Sequence, residues 1–161
     1  MCSCRLVEAI FLIFFSSLSY AASVDTAISI ESDSFEFYPR EEKVKYEGSV
    51  ETKFQGVTLK AERLVAYLKQ DTTISVLIAY GDPAKIKSES KASGPELHGT
   101  AGIIKLINES EILELSDQAS LAYGKSKISS PVIRFNTKTG SIKAGREGSR
   151  VSMTLEQGEL E

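Results

Sequence analysis

From Ile28 onward, apolar side chains recur at every second position: Ile28, Ile30, Phe35 and Phe37 stand among Ser, Glu and Asp, and Val44-Lys45-Tyr46-Glu47 keeps the same step. A period of two puts successive side chains on opposite faces of an extended chain and predicts half-buried strands. The alternation returns in Leu64-Val65-Ala66-Tyr67, Leu113-Glu114-Leu115, Ile133-Arg134-Phe135 and Val151-Ser152-Met153. Only 59–68 also admits a helical face, through Ala61, Leu64 and Leu68, and its strand-rich surroundings outweigh that reading. Turn formers divide the runs at Tyr38-Pro39-Arg40, Glu47-Gly48, Gln55-Gly56, Gly81-Asp82-Pro83, Ser93-Gly94-Pro95 and 136–140, and imply short antiparallel strands. The segment 87–96 reads as the loosest loop, and 157–161 as a frayed polar tail.

The pattern repeats. Ser32-Asp33-Ser34-Phe35-Glu36-Phe37 aligns with segments beginning at Ala61, Thr100 and Ser130, each placing an apolar residue fourth. The second half of each unit returns as Val44-Lys45-Tyr46, Ile78-Ala79-Tyr80, Leu113-Glu114-Leu115 and Ile142-Lys143-Ala144, at steps of 34, 35 and 29 residues. One unit is a strand pair with an apolar and a polar side, which is marginal alone in water. Stacking the units predicts an all-β fold: a twisted antiparallel β-jelly roll of two curved sheets with facing inner surfaces, open-ended, with unpaired edge strands near 28–30 and 151–155.

The inward side chains are then Ile30, Phe35, Phe37, Val44, Tyr46, Leu64, Tyr80, Ile103, Leu113, Leu115, Leu121, Tyr123, Ile133, Phe135 and Ile142, with Val50, Leu59, Ile78, Ile86 and Ile128 beside them. Two readings stay open. They are ordinary core, or, in an open-ended roll, they line an apolar trough.

Ahead of the strands, Arg5 precedes the apolar run Ala9-Ile10-Phe11-Leu12-Ile13-Phe14-Phe15 and then small residues, the layout of a signal peptide. The run to Leu18 is about half of the roughly 20 residues a membrane-crossing helix needs. Cleavage is expected after Ala21, with Ser23 the second choice, so residues 1–21 form the signal peptide and 22–156 the β-roll domain. Cys2 and Cys4 lie before the run and leave with it, so the mature chain has neither a disulfide nor a thiol nucleophile. The roughly 140 remaining residues suit one domain. The net charge of −3, with both signs scattered, offers no basic face for nucleic acid.

Little in the chain suggests catalysis. His98 is the sole histidine and cannot assemble a zinc site; neither a Gly-x-Ser-x-Gly elbow nor a phosphate-binding glycine loop occurs. The pairs Glu31 with Asp33, Glu41 with Glu42, and Glu109 with Glu111 read as solvated charge. No catalytic residue, metal site or cofactor is therefore expected.

Ile28-Ser29-Ile30-Glu31-Ser32-Asp33, Tyr46-Glu47-Gly48-Ser49-Val50, Tyr80-Gly81-Asp82-Pro83-Ala84 and Gly99-Thr100-Ala101 stand in the order and spacing of a known family. The chain resembles the LptA-type, or OstA-like, periplasmic lipopolysaccharide transport proteins across essentially all of the mature region. The resemblance implies a binder of lipopolysaccharide that takes lipid A acyl chains into an apolar trough and passes them from inner to outer membrane. Its implied partners are an LptC-like inner-membrane subunit and an LptD-like outer-membrane protein at the edge strands, with head-to-tail self-association. Trough-lining roles carry over to Ile30, Phe35, Tyr46, Leu115, Tyr123 and Phe135. The head group would stay outside, with Lys53, Lys60, Arg63, Lys125 and Lys127 as candidate phosphate contacts. The acidic finish after Leu155 departs from members with a basic or polar tail. The alternatives are an LptC-like subunit that keeps its N-terminal helix as an anchor, a ligand-free structural roll and, last, an envelope hydrolase using His98.

Overall fold

A computed structural model describes residues 28–54, 56–88 and 95–155. The signal segment, the tail and most of the loop predicted at 87–96 lie outside these residues. The strands are β1 (Ser29–Glu31), β2 (Ser34–Tyr38), β3 (Lys43–Phe54), β4 (Val57–Leu68), β5 (Ile74–Ser88), β6 (Leu97–Ile107), β7 (Ile112–Tyr123), β8 (Ser126–Asn136), β9 (Ile142–Ala144) and β10 (Ser152–Leu155). One antiparallel hydrogen-bonded sheet joins them in the order β1-β3-β4-β5-β6-β7-β8-β10, with β2 also on β3 and β9 also on β8.

The strands from β3 to β8 are longer than the turn spacing implied, because two of the supposed turns lie inside strands. Gly48 is within β3 and Gly81-Asp82-Pro83 within β5, and the ladder register shifts at both places. Similar shifts fall between Lys60 and Arg63 in β4, Thr100 and Ile103 in β6, and Ser116 and Ala119 in β7. An extra residue at a bulge bends its strand. Gly48 suits its place: its φ is +76°, and a Cβ there would collide with the Asp33 carboxylate.

The aligned bulges fold the sheet along a ridge into two half-sheets. The first holds β2, 43–47, 63–68, 74–80, 103–107, 112–116, 133–135 and β9; the second holds β1, 50–54, 57–60, 84–88, 97–100, 119–123, 126–129 and β10. The inner faces meet. Leu113 and Tyr123 are ten residues apart on β7, about 30 Å if the strand were straight. Yet the Tyr123 ring lies 5.2 Å from that of Phe135, whose ladder partner is Leu113. Gly99, in the second half-sheet, sits so close under Leu115 of the first that a Cβ would be 2.7 Å from Leu115 Cδ2 and from Ile86 Cγ2.

The four repeats correspond to the pairs β2/β3, β4/β5, β6/β7 and β8/β9, and the recurring positions Phe35, Leu64, Ile103 and Ile133, with Tyr46, Tyr80, Leu115 and Ala144, all lie in the first half-sheet. Opposite the ridge, the hairpin turns form two lips around a mouth. The turns at 69–73, 108–111 and 137–141 edge the first half-sheet, and those at Gly56 and 124–125 edge the second.

Candidate lipid-binding interior

Residues directly opposed in an antiparallel ladder share a face. Leu64, Ala79, Ile104, Leu115 and Ile133 form one such row across the first half-sheet, all buried. Val44 pairs with Ala66, Tyr46 with Leu64, Leu113 with Phe135, and Phe135 with Ile142, so these expected residues also face inward. In the second half-sheet Ile30 lies opposite Thr52, Leu121 opposite Ile128, and Tyr123 packs on the core. Val50, Leu59, Ile86 and Ile128 are buried as expected.

Tyr80 and Ile103 do not face inward. They pair with each other and with Arg63 and Ser116 on the outer surface, where the Arg63 guanidinium lies 4.3 Å from the Tyr80 ring centre. Ile78 is outward as well, beside Val65 and Lys105. The inward residues of these units are Leu77, Ala79 and Ile104. Alternation misassigns them because both faces are apolar here: Ile103-Ile104 carries no parity, and in Ile78-Ala79-Tyr80 the smallest residue is the buried one.

Exposure along the inner face is uneven. At the middle Leu64, Leu115, Leu121 and Ile133 have no accessible surface, so this state holds a packed core rather than an open channel. At the first end Phe35 and Phe37 share the face of Tyr46 and Val44, yet they lie on an edge strand and are 68 % and 53 % exposed. Phe35 stands 6.4 Å from Tyr46, ring to ring, and burial pushes the Tyr46 phenol up from its ordinary pKa. At the other end Met153 and Leu155 on β10 continue the face of Ile128 and are also exposed. Sequence reading caught the Met153 alternation without assigning these two residues to the interior.

Hydrogen bonds and ion pairs at the mouth run along the lips. On the first lip Leu68 N–H donates to the Glu42 carbonyl, Thr137 N–H to that of Glu111, and Lys69 pairs with Glu109 at 2.7 Å. On the second, Gly124 N–H donates to the Glu96 carbonyl, and the Glu96 carboxylate meets Lys87 and His98, each at 3.1 Å. Lys87, with His98 second, holds the Glu96 carboxyl below its ordinary pKa. The Tyr123–Phe135 contact crosses from lip to lip, and such a ring pair adds about 0.5–1.5 kcal/mol beyond its buried area.

The remaining chemistry is sparse. His98 is a half-exposed surface residue, and among the described residues no group of three or more His, Cys, Asp or Glu could hold a metal. Lys53 and Lys60 on the outer surface both pair with Glu51, whose carboxyl they hold below its ordinary pKa. Among the described residues no helix is long and apolar enough to cross a membrane.

Comparison with known proteins gives the same picture. The solved structure of LptH, described as the LptA homologous periplasmic component of the conserved lipopolysaccharide transport device from Pseudomonas aeruginosa, superposes with a TM-score of 0.75 at 18 % identity, covering 83 % of this chain and 98 % of that one. That likeness establishes the roll architecture. No curated protein matches the chain. The model of the LptA/(LptD N-terminal domain) LPS transport proteins matches residues 29–141, from β1 to the turn before β9. With the first three repeats, the ridge and most of the inner face inside that match, the chain belongs to the LptA/LptD N-terminal domain family of lipopolysaccharide transport proteins.

Proposed function

We propose that the protein binds lipopolysaccharide by its lipid A acyl chains between the two half-sheets and hands it across the periplasm as one roll of a bridge. The observation that carries this reading is the continuous apolar inner face, which is exposed at both ends on strands whose outer edges meet no other strand among the described residues: Phe35 and Phe37 on β2, Met153 and Leu155 on β10. Placed end to end, β9 of one roll adjoins β2 of the next and β10 adjoins β1, so both half-sheets and the face between them continue. Strand addition of this kind draws affinity from backbone bonding. An LptC-like subunit at one end and an LptD-like roll at the other, or a second copy, meet the same need.

The energetics favour binding over catalysis. A buried methylene is worth roughly 0.8 kcal/mol, so a chain of about 12 to 14 carbons gains on the order of 10 kcal/mol by leaving water. That exceeds the ring contact closing the mouth, and lipid can part the lips without breaking the ladders within either half-sheet. In this reading residues 1–21 direct export and are removed.

A photo-crosslinking residue at Phe35 or Met153 is expected to capture lipopolysaccharide in cells, and one at Lys138 on the lip is not; equal capture at all three positions removes the reading. The packed middle favours one competitor, a ligand-free scaffold polymerising through its edges. Mass spectrometry of gently purified protein separates the two, since the scaffold carries no lipid.

A further inference from the structure

We propose that Tyr123 and Phe135 form an aromatic clasp whose parting admits an acyl chain into the β7/β8 end of the roll. The inference rests on the lipid-binding reading and assigns control of access to two residues. They belong to adjacent strands but to opposite lips: Tyr123 precedes the 124–125 turn, and Phe135 precedes the 137–141 turn. Their rings meet at 5.2 Å with planes inclined by 54°. Phe135 is buried and Tyr123 partly so, packed on the core cluster. Gly140, on the Phe135 lip, lies beside the phenol: a Cβ there would stand 3.4 Å from the Tyr123 hydroxyl.

The clasp differs from its surroundings in what it binds together. The polar contacts at Glu96, Lys69 and Glu111 tie turns along one lip, whereas the ring pair ties one lip to the other. A contact made of ring faces opens without stranding a buried donor or acceptor, and apolar acyl carbon can replace it on both rings. At the far end Phe35 already lies open. Met153 lies open at the other end as well, so the position that lipid reaches only after the clasp yields is Leu121, buried beside Tyr123 on the same inner face.

The test uses the full chain with Cys2 and Cys4 replaced by Ser, cysteines at Tyr123 and Phe135, and a short bis-maleimide to bridge them. Bridging is expected to leave lipopolysaccharide capture at Phe35 within twofold of the unbridged protein and to lower capture at Leu121 at least tenfold. Because Phe135→Cys can weaken the core, a second measurement keeps both rings. Spin labels at Lys125 and Lys138, on opposite lips, should move apart when lipopolysaccharide is added, and Tyr123→Phe should behave as the parent. Undiminished capture at Leu121 in the bridged protein, or an unchanged label separation in lipid-bound protein, overturns the clasp alone. Absence of capture at Phe35 in the unbridged protein overturns the lipid reading and the clasp with it.

Discussion

Phe35 and Phe135 are the same residue on the same inner face of the same half-sheet, and they have opposite fates. Phe135 sits between two ladder neighbours, Leu113 and Ile142, under the Tyr123 ring, and is 5 % exposed. Phe35 sits on β2, which among the described residues pairs only with β3, so that Tyr46 flanks it on one side and no described strand lies on the other. Position in the ladder, rather than hydrophobicity, decides which phenylalanine stabilises the fold and which stays available to a partner or ligand. An exposed aromatic on an unpaired edge is a liability for a solitary protein and an asset for one whose sheet is continued by another.

Substitutions sharpen the contrast, beginning with the largest effect. Phe135→Ala should lower unfolding stability by about 3–5 kcal/mol, because it removes a buried ring and leaves a cavity; urea unfolding followed by circular dichroism measures it. Gly99→Ala comes next, at about 1–3 kcal/mol, since its methyl overpacks the close approach of Ile86 and Leu115 between the half-sheets. Should the two half-sheets separate freely in solution, that substitution would cost nothing. Phe35→Ala should change stability by no more than about 0.5 kcal/mol, while reducing lipid capture or end-to-end association; a loss near that of Phe135→Ala would erase the distinction drawn above.

The smallest effect concerns pH. The Glu96 carboxyl has a lower pKa in the folded protein than in the unfolded chain, owing to Lys87 and then His98. Its contribution is fully present above the unfolded-state carboxylate pKa, about 4.3, and is lost as pH falls through the depressed folded value. The difference in Tm between the parent and Glu96→Gln should be small near neutral pH, because the site is exposed, and should vanish in acid. A difference that persists undiminished below the carboxylate range contradicts the assigned ion pairing.

Much of this architecture is legible from alternation and repetition. The all-β class, the four strand-pair units and most inward residues follow from a period of two interrupted at regular steps. Failures occur where the code is locally degenerate. Gly48 and Gly81-Asp82-Pro83 have the composition of hairpin turns, but a bulge asks for the same small or φ-restricted residues. Each bulge also shifts parity, which is how Tyr80 and Ile103 come to lie outside while Ala79 and Ile104 lie within.

The order of residues by itself determined that the chain folds as stacked strand pairs with one apolar side, since an alternating pattern has no other way to bury that side. Only the tertiary structure decided that the middle of the inner face is sealed and its two ends are open. Burial depends on how many neighbours the sheet supplies at a position, and on which side chains the ridge brings together from ten residues away. Neither quantity is a property of a residue and its immediate neighbours in the chain.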